Sequence, residues 1–392
     1  MHKLIKLASD TISKPELFKL SKWIINANIL TKSKLTIKFE KIFAKWNNSK
    51  YAVFVNSGSS ANLLIAQALL ESNILKNKTI IMPSVSWATT IAPFIQLGFK
   101  VILCDTDKKN LGLDIDHLKK LIKKFKPSCI CLCHVLGHAN NIKEIKRLIK
   151  NYNIEIIEDT CESLGTTYFN KKLGNFGLAS SFSFYYGHHI STIEGGMVCT
   201  NNKKFYNLLI SIRSHGWSRD WDQKYQKKIS KQFNLDEFTN LYTFYNSGFN
   251  IRSTDLNAYL GINQMNKIDR IVKIRNRNYQ YYKELLKKFW HQNDNNQFIS
   301  SFAFGTIVKN RFEVYKYLKS KKIESRPLIC GSIGRQPFWI KKFGKPKLFN
   351  ADVIHDHGIY LPNHANLSKN QIQYICKCFL EIAKPIYFDT EK

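Results

Sequence analysis

Residues 50–72, KYAVFVNSGSSANLLIAQALLES, hold a strand, a turn and a helix in that order. YAVFV is a short apolar run rich in β-branched and aromatic residues, and ANLLIAQALLES is long and apolar enough for a buried helix. Gly58, Ser59 and Ser60 lie between them, which sets backbone N–H groups and hydroxyls at a helix N-terminus, a ready seat for a phosphate. An ordinary capped strand–helix turn would read the same way. No G-x-G-x-x-G follows a strand, so a dinucleotide-binding fold is poorly supported.

The same alternation continues outward. TIIMP, KVILCD, CICLCHV, IEIIED, SSFSF and GMVCTN read as buried strands, and SWATTIAPFIQLG, DHLKKLIKKF and IKEIKRLIKNY as helices between them. This order predicts an α/β fold with a mostly parallel sheet covered on both faces. Residues 255–289, DLNAYLGINQMNKIDRIVKIRNRNYQYYKELLKKF, read as one nearly continuous helix, and the remainder as a smaller α+β unit. The expected division is a large cofactor-binding domain over 1–265 and a small C-terminal domain over 266–392.

At 392 residues, with 44% hydrophobic and 13% aromatic residues, the chain can bury a large core. No stretch has the length of apolar sequence that a membrane span needs, and the first ten residues lack a signal-peptide core, so the cytoplasm is expected. A formal charge of +31 would suit nucleic acid, but the lysines are scattered along the whole chain, so no nucleic-acid partner is expected. Such a surface would instead help attract an anionic substrate. Nine cysteines without a secretion signal argue against a disulfide framework. Cys129, Cys131, Cys133 and His134 have the look of a metal site. On a strand, however, the outer thiols would be about 13 Å apart, too far for ligands that each sit about 2.3 Å from one zinc. No metal is expected.

Two further segments carry chemistry. In IEIIEDTCES (154–163), Asp159 ends an apolar strand, where ligands of parallel α/β sheets gather. A carboxylate there needs hydrogen bonds or a cation, and a protonated pyridine nitrogen would be such a cation; a helix N-cap is the plainer reading. In SFSFYYGHHISTIEGGMVCT (181–200), a strand runs into His188 and His189, then Glu194, Gly195 and Gly196 lead into the next. Histidine titrates near neutrality and is the natural proton carrier at such a place, although either could be a hydrogen-bonded core residue.

These three segments, in this order and spacing, resemble the DegT/DnrJ/EryC1/StrS family of B6-dependent sugar aminotransferases, and the likeness runs from about residue 8 to LPNH at 361–364. The resemblance implies an aspartate-aminotransferase type I PLP fold, a homodimer with shared active sites, and pyridoxal or pyridoxamine 5′-phosphate as cofactor. The family's third motif has its Schiff-base lysine six residues before the E-G-G; here that position is His188. Two subgroups resembling the family carry histidine there. One holds an iron–sulfur cluster through cysteines after its H-G-W segment, but no cysteine occurs here between Cys199 and Cys330. The other removes the C3 hydroxyl of a GDP-linked 4-keto-6-deoxyhexose without a cluster. LASDT, NSGSSANLL, PSVSWATT, EDTCES, GHHISTIEGG, RSHGWSR and GFNIRS are similar to its motifs in order.

Carried over residue by residue, the resemblance assigns Gly58, Ser59 and Ser183 to the cofactor phosphate, with Asn250 reaching it from the neighbouring subunit. Trp87 would stack on the pyridine ring, Asp159 pair with its nitrogen and Glu162 lie near its hydroxyl. His188 would be the catalytic base, and His215 and Arg219 would line the substrate pocket. The implied activity is 3-dehydration of a nucleotide-linked keto-sugar, a lyase reaction with L-glutamate recharging the cofactor. A catalytically silent cofactor-binding or sensory homologue and a nucleotide-sugar 4-aminotransferase are the alternatives. Thr31-Lys32-Ser33 departs from the family's T-x-G turn.

Overall fold

The computed structural model describes residues 4–293 and 297–388; residues 294–296 and 389–392 of the expected small domain lie outside the described residues. Twelve strands occur among these: β1 (Tyr51–Val55), β2 (Thr79–Pro83), β3 (Lys100–Cys104), β4 (Cys129–Cys133), β5 (Glu155–Asp159), β6 (Thr167–Tyr168), β7 (Lys171–Lys172), β8 (Ala179–Ser183), β9 (Gly196–Thr200), β10 (Phe304–Ile307), β11 (Arg326–Pro327) and β12 (Gly358–Leu361). Seven form one sheet in the order β1-β9-β8-β5-β4-β2-β3. Every neighbouring pair is parallel except those of β9, which runs against both β1 and β8. The mostly parallel sheet is therefore present, with one reversed strand inside it.

The apolar runs are continuous because both faces are covered. Along β4, Cys129, Cys131 and Cys133 join the core under the helix Gly58–Glu71, while Ile130 and Leu132 join the opposite core with Leu118, Ile122, Ile142 and Ile145 of the helices Ile115–Phe125 and Ile142–Ile149. The three thiols do share one face, and it is packed with hydrocarbon. Among the described residues, no group of three or more His, Cys, Asp or Glu side chains is placed to hold a metal, and no helix is long and apolar enough to cross a membrane.

The helical stretch after residue 254 is broken once, into Asp255–Met265 and Ile268–Leu285. At the break, Lys267 Nζ donates to Glu16 Oε2 at 2.6 Å, so a long-range ion pair occupies the point where a continuous helix was expected. Ile268, Ile271 and Val272 pack into the large unit beside Phe39 and Phe54, whereas Tyr279, Tyr282 and Leu286 pack into a second core around Phe304, Leu318 and Phe379. That second core lies against the antiparallel sheet β10-β12-β11. Ile5 bridges Ile323 and is buried in the same second core, so the start of the chain packs on its far end.

Strand β5 carries adjacent buried acids, Glu158 and Asp159, 1% and 5% exposed. Successive side chains on a strand point to opposite faces, so the two serve different ends. Glu158 accepts from His134 Nε2 at 3.2 Å and from the backbone N–H groups of Gly174 (2.8 Å), Phe176 (2.6 Å) and Gly177 (2.8 Å). Burial pushes its pKa up, but the His134 hydrogen bond and the backbone donors outweigh that and hold it below the usual carboxylate value. A carboxylate with a depressed pKa stabilises the fold above its unfolded pKa, and that stability is lost as pH falls through the folded value. Glu158→Gln should lower stability by about 2–4 kcal/mol and flatten the acid limb of melting temperature against pH; an unchanged acid limb would refute this account.

Candidate active site

A cavity of about 540 Å³ opens where β1, β5 and β8 end, between the large sheet and the small unit. Its floor is built from the carboxyl ends of parallel strands, the usual ligand position of such sheets. Gly58, Ser59, Trp87, Asp159, Glu162, Ser183 and His188 all line it, and among the described residues no lysine does.

At one wall the helix Gly58–Glu71 begins. Ser57 Oγ caps it by accepting from Ser60 N at 3.0 Å, and Ser59 Oγ meets Thr89 Oγ1 at 2.8 Å. A Cβ on residue 58 would stand 2.6 Å from Ser183 Cβ and 3.0 Å from its hydroxyl, so glycine alone lets the helix end approach β8 this closely. The amides of Gly58 and Ser59 precede the first intrahelical bonds, and with the hydroxyls of Ser59 and Ser183 they make a cradle fit for a phosphate.

Asp159 lies deeper. Its Oδ2 accepts from Thr90 Oγ1 at 2.7 Å and from Asn62 Nδ2 at 3.0 Å, and its Oδ1 from Cys161 N at 3.1 Å. All three donors are neutral, and among the described residues no Lys or Arg pairs with this buried carboxyl group. A protonated ring nitrogen suits that gap. Glu162 accepts from Leu136 N at 2.8 Å. Burial, and then the charge of Asp159, raise its pKa to about 8, so it carries a proton at neutral pH and can donate a hydrogen bond. Trp87, 58% exposed, offers its ring at the cavity wall.

The two histidines separate cleanly. His189 is fully buried and bonds through Nε2 to Ser300 O at 3.0 Å, a core role. His188 is half-buried in the cavity, its ring 5.1 Å from that of Phe302 and 6.5 Å from that of Tyr185. Its Nδ1 is buried and has no hydrogen-bond partner among the described residues. Desolvation, and then the Arg275 charge, lower its pKa to about 4 against the opposing pull of Asp159, so the ring is uncharged at neutral pH.

His215, Arg219 and Asn250 do not line the cavity of the single chain; all three are exposed. They lie on paired segments: Ser214 bridges Asn250, and His215 N donates to Phe249 O at 2.7 Å. Lys32, in the unusual turn, bonds Asp220 at 2.9 Å, and Asp220 also pairs with the buried Arg213 at 3.2 Å, so this turn is tied to the same segment. Sequence reasoning missed Asn62, Thr90, Phe302, Arg326 and Tyr360. Asn62 and Thr90 sat inside quoted motifs and could have been found as donors for Asp159. Phe302, Arg326 and Tyr360 come from the small unit, where no local pattern marks them.

The profile of the DegT/DnrJ/EryC1/StrS aminotransferase family matches residues 12–380, and the chain belongs to that family. Among its relatives are the GDP-4-keto-6-deoxy-D-mannose 3-dehydratases of Escherichia coli O55:H7 (33% identical, covering 94% of this chain and 97% of that one) and of Yersinia pseudotuberculosis (34%, 91% and 93%). A crystal structure of GDP-4-keto-6-deoxymannose-3-dehydratase with a trapped PLP-glutamate geminal diamine superposes with a TM-score of 0.87, at 31% identity over 95% of this chain and 99% of that one. The fold is thus the aspartate-aminotransferase type I fold expected from the motifs.

An acid whose folded pKa is raised stabilises fully only below its unfolded value, and that contribution is lost as pH rises through the folded one. Between pH 4.5 and about 8, Glu162 should therefore cost stability progressively, and Glu162→Gln should melt higher than the parent at pH 8.5 but not at pH 4. Parallel melting curves of the cofactor-free proteins across that range would decide it.

Proposed function

We propose that this chain is a pyridoxamine/pyridoxal-phosphate-dependent lyase that removes the C3 hydroxyl of a nucleotide-linked 4-keto-6-deoxyhexose, with GDP-4-keto-6-deoxymannose as the first substrate to try. The observation that carries this reading is His188, which stands where the family's lysine would stand and faces the same cavity as Asp159, Glu162 and Ser183. The names of the relatives at 33% and 34% identity support it. The reading includes L-glutamate as amino donor, release of ammonia, a cytoplasmic homodimer, and a 3,6-dideoxyhexose such as colitose for an O-antigen as the eventual product. It keeps a division into a large cofactor-binding domain over 1–265 and a small one over 266–392.

The cofactor, when bound, supplies the amine that engages the C4 ketone and a ring that withdraws electrons. The chain's own residues supply the rest. Gly58, Ser59 and Ser183 hold the phosphate, Trp87 covers the ring face, and Asp159 keeps the ring nitrogen protonated. Glu162, itself protonated, donates to the ring oxygen. His188, uncharged at neutral pH, takes a proton from the C4′ carbon. It then delivers a proton to the C3 hydroxyl of the sugar, a poor leaving group until protonated. Histidine forms no Schiff base, so elimination is favoured over return of the amine to the sugar.

His215, Arg219 and Asn250 are assigned to the second copy's site. The same exposed region carries Phe238, Leu241, Tyr242 and Phe244, with Tyr242 stacked on Trp217 at 5.1 Å and Arg219 over Trp217 at 5.4 Å. An exposed aromatic surface beside polar groups supports an interface with a second copy.

His188→Asn should reduce both dehydration and glutamate half-transamination by about 10²–10⁴-fold while leaving cofactor binding nearly intact. Borohydride treatment of the wild type should leave no phosphopyridoxyl-lysine in the cavity peptides. Mass spectrometry of products from GDP- and CDP-linked 4-keto-6-deoxyhexoses tests the reaction; a 4-amino sugar without ammonia would make the chain an aminotransferase instead. Asn250→Trp should weaken cofactor binding without unfolding the chain, whereas a fully active monomer would remove the shared-site assignment.

A further inference from the structure

Arg275, on the helix Ile268–Leu285, is 2% exposed, yet no carboxylate among the described residues forms an ion pair with it. Carbonyls hold it instead. Nη1 donates to Phe302 O at 2.8 Å, Asn363 O at 2.9 Å and Ser301 O at 3.4 Å, and Nη2 donates to His188 O at 3.2 Å. Its Nε is buried with no partner among the described residues. A buried guanidinium ordinarily sits against an acid that cancels most of its field; carbonyl dipoles cancel less, so its charge is felt nearby. Burial lowers its pKa to about 9, which leaves it charged at neutral pH.

What lies nearby is His188. Arg275 Cζ is 5.9 Å from the centroid of the Phe302 ring, and that ring is 5.1 Å from the His188 ring. Arg275 therefore grips the main chain of both residues and places a cation behind the aromatic wall on which the imidazole rests.

We propose that Arg275 is a positioning residue for His188, fixing its main chain and its Phe302 wall and setting an unneutralised positive charge behind its ring. This rests on the reading of His188 as the base. The other titratable groups facing that ring include Asp159 at the end of β5, Cys161 and Glu162 in the same cavity, and Tyr185 and the buried His189 from its own loop. Of these, the Asp159 charge favours the charged imidazole, as does a hydrogen bond to the Cys161 main chain. A cation at this place keeps the ring uncharged and ready to accept a proton, and makes the protonated ring a stronger acid. Both effects suit a group that must take a proton from carbon and then give one to a leaving hydroxyl. An arginine neutralised by a carboxylate would do neither.

The test reads His188 directly. In isotope-labelled protein loaded with pyridoxamine phosphate, the imidazole resonance of His188, identified by its loss in His188→Asn, is followed against pH. Wild type should titrate below the ordinary histidine range. Arg275→Gln, which keeps a donor and removes the charge, should move the midpoint up by about one pH unit. It should also slow proton transfer in the glutamate half-reaction by about tenfold or more. Arg275→Lys, which keeps the charge and loses the fork, should return the midpoint towards the wild-type value. A folded Arg275→Gln with an unchanged midpoint would overturn the proposal. If that variant does not fold, a wild-type midpoint in the ordinary range would overturn it equally. Failure of the base reading is separate: His188→Asn would then keep its half-reaction rate, whatever Arg275→Gln did to the midpoint.

Discussion

The hydrogen bonding of Asp159 is the constraint around which the site is arranged. A carboxylate at the end of a buried strand has to be solvated by something, and here a hydroxyl and an amide from two different helices do it, with Thr90 at 2.7 Å and Asn62 at 3.0 Å. Those two bonds fix the helix Gly58–Glu71 and the helix Ala88–Gln96 against β5. The candidate phosphate cradle at the start of the first helix and Trp87 at the start of the second are thereby tied to the acid. Glu158 does the equivalent work on the opposite face, where it gathers the loop at residues 174–177. Neighbouring residues on one strand thus organise the ligand side and the structural side of the sheet.

Much of this was legible in the sequence because buried parallel strands leave a coarse, repeated signal. All seven apolar runs of the large sheet became strands, and the break between Asp255–Met265 and Ile268–Leu285 is the main difference in the helical region. At that break Lys267 pairs with Glu16, far away in the chain, which no window around Lys267 contains. The reversal of β9 was equally invisible, since an apolar pentapeptide reads the same in either direction.

The site divides along the same line. Residues grouped in short motifs, such as Gly58 with Ser59 and Asp159 with Glu162, do line one cavity, and their local spacing made them legible. Motif spacing singled out His188 over His189, but the physical reason for the difference was not local, because it depends on Ser300 receiving one ring and Phe302 the other. Residues 300–302 lie more than a hundred positions downstream in an unremarkable stretch, SSF. Arg275 was hidden for a related reason: on a lysine- and arginine-rich helix it looks like any solvated charge, and only packing shows that it is buried.

The reversed strand bears on how the segment carrying His188 is held. Because β8 and β9 are antiparallel neighbours, the segment 184–195 leaves and re-enters the sheet at the same end of its strands, closed at its neck by Phe184 N to Gly195 O at 2.8 Å and Thr192 N to Phe184 O at 2.9 Å. Within that loop His189 and Ile190 are buried, whereas His188 faces the cavity. Position 188 takes no part in the β8–β9 pairing and presents its side chain to the cavity. The bonds that hold the scaffold and the side chain offered to the site are therefore carried by different residues of one segment.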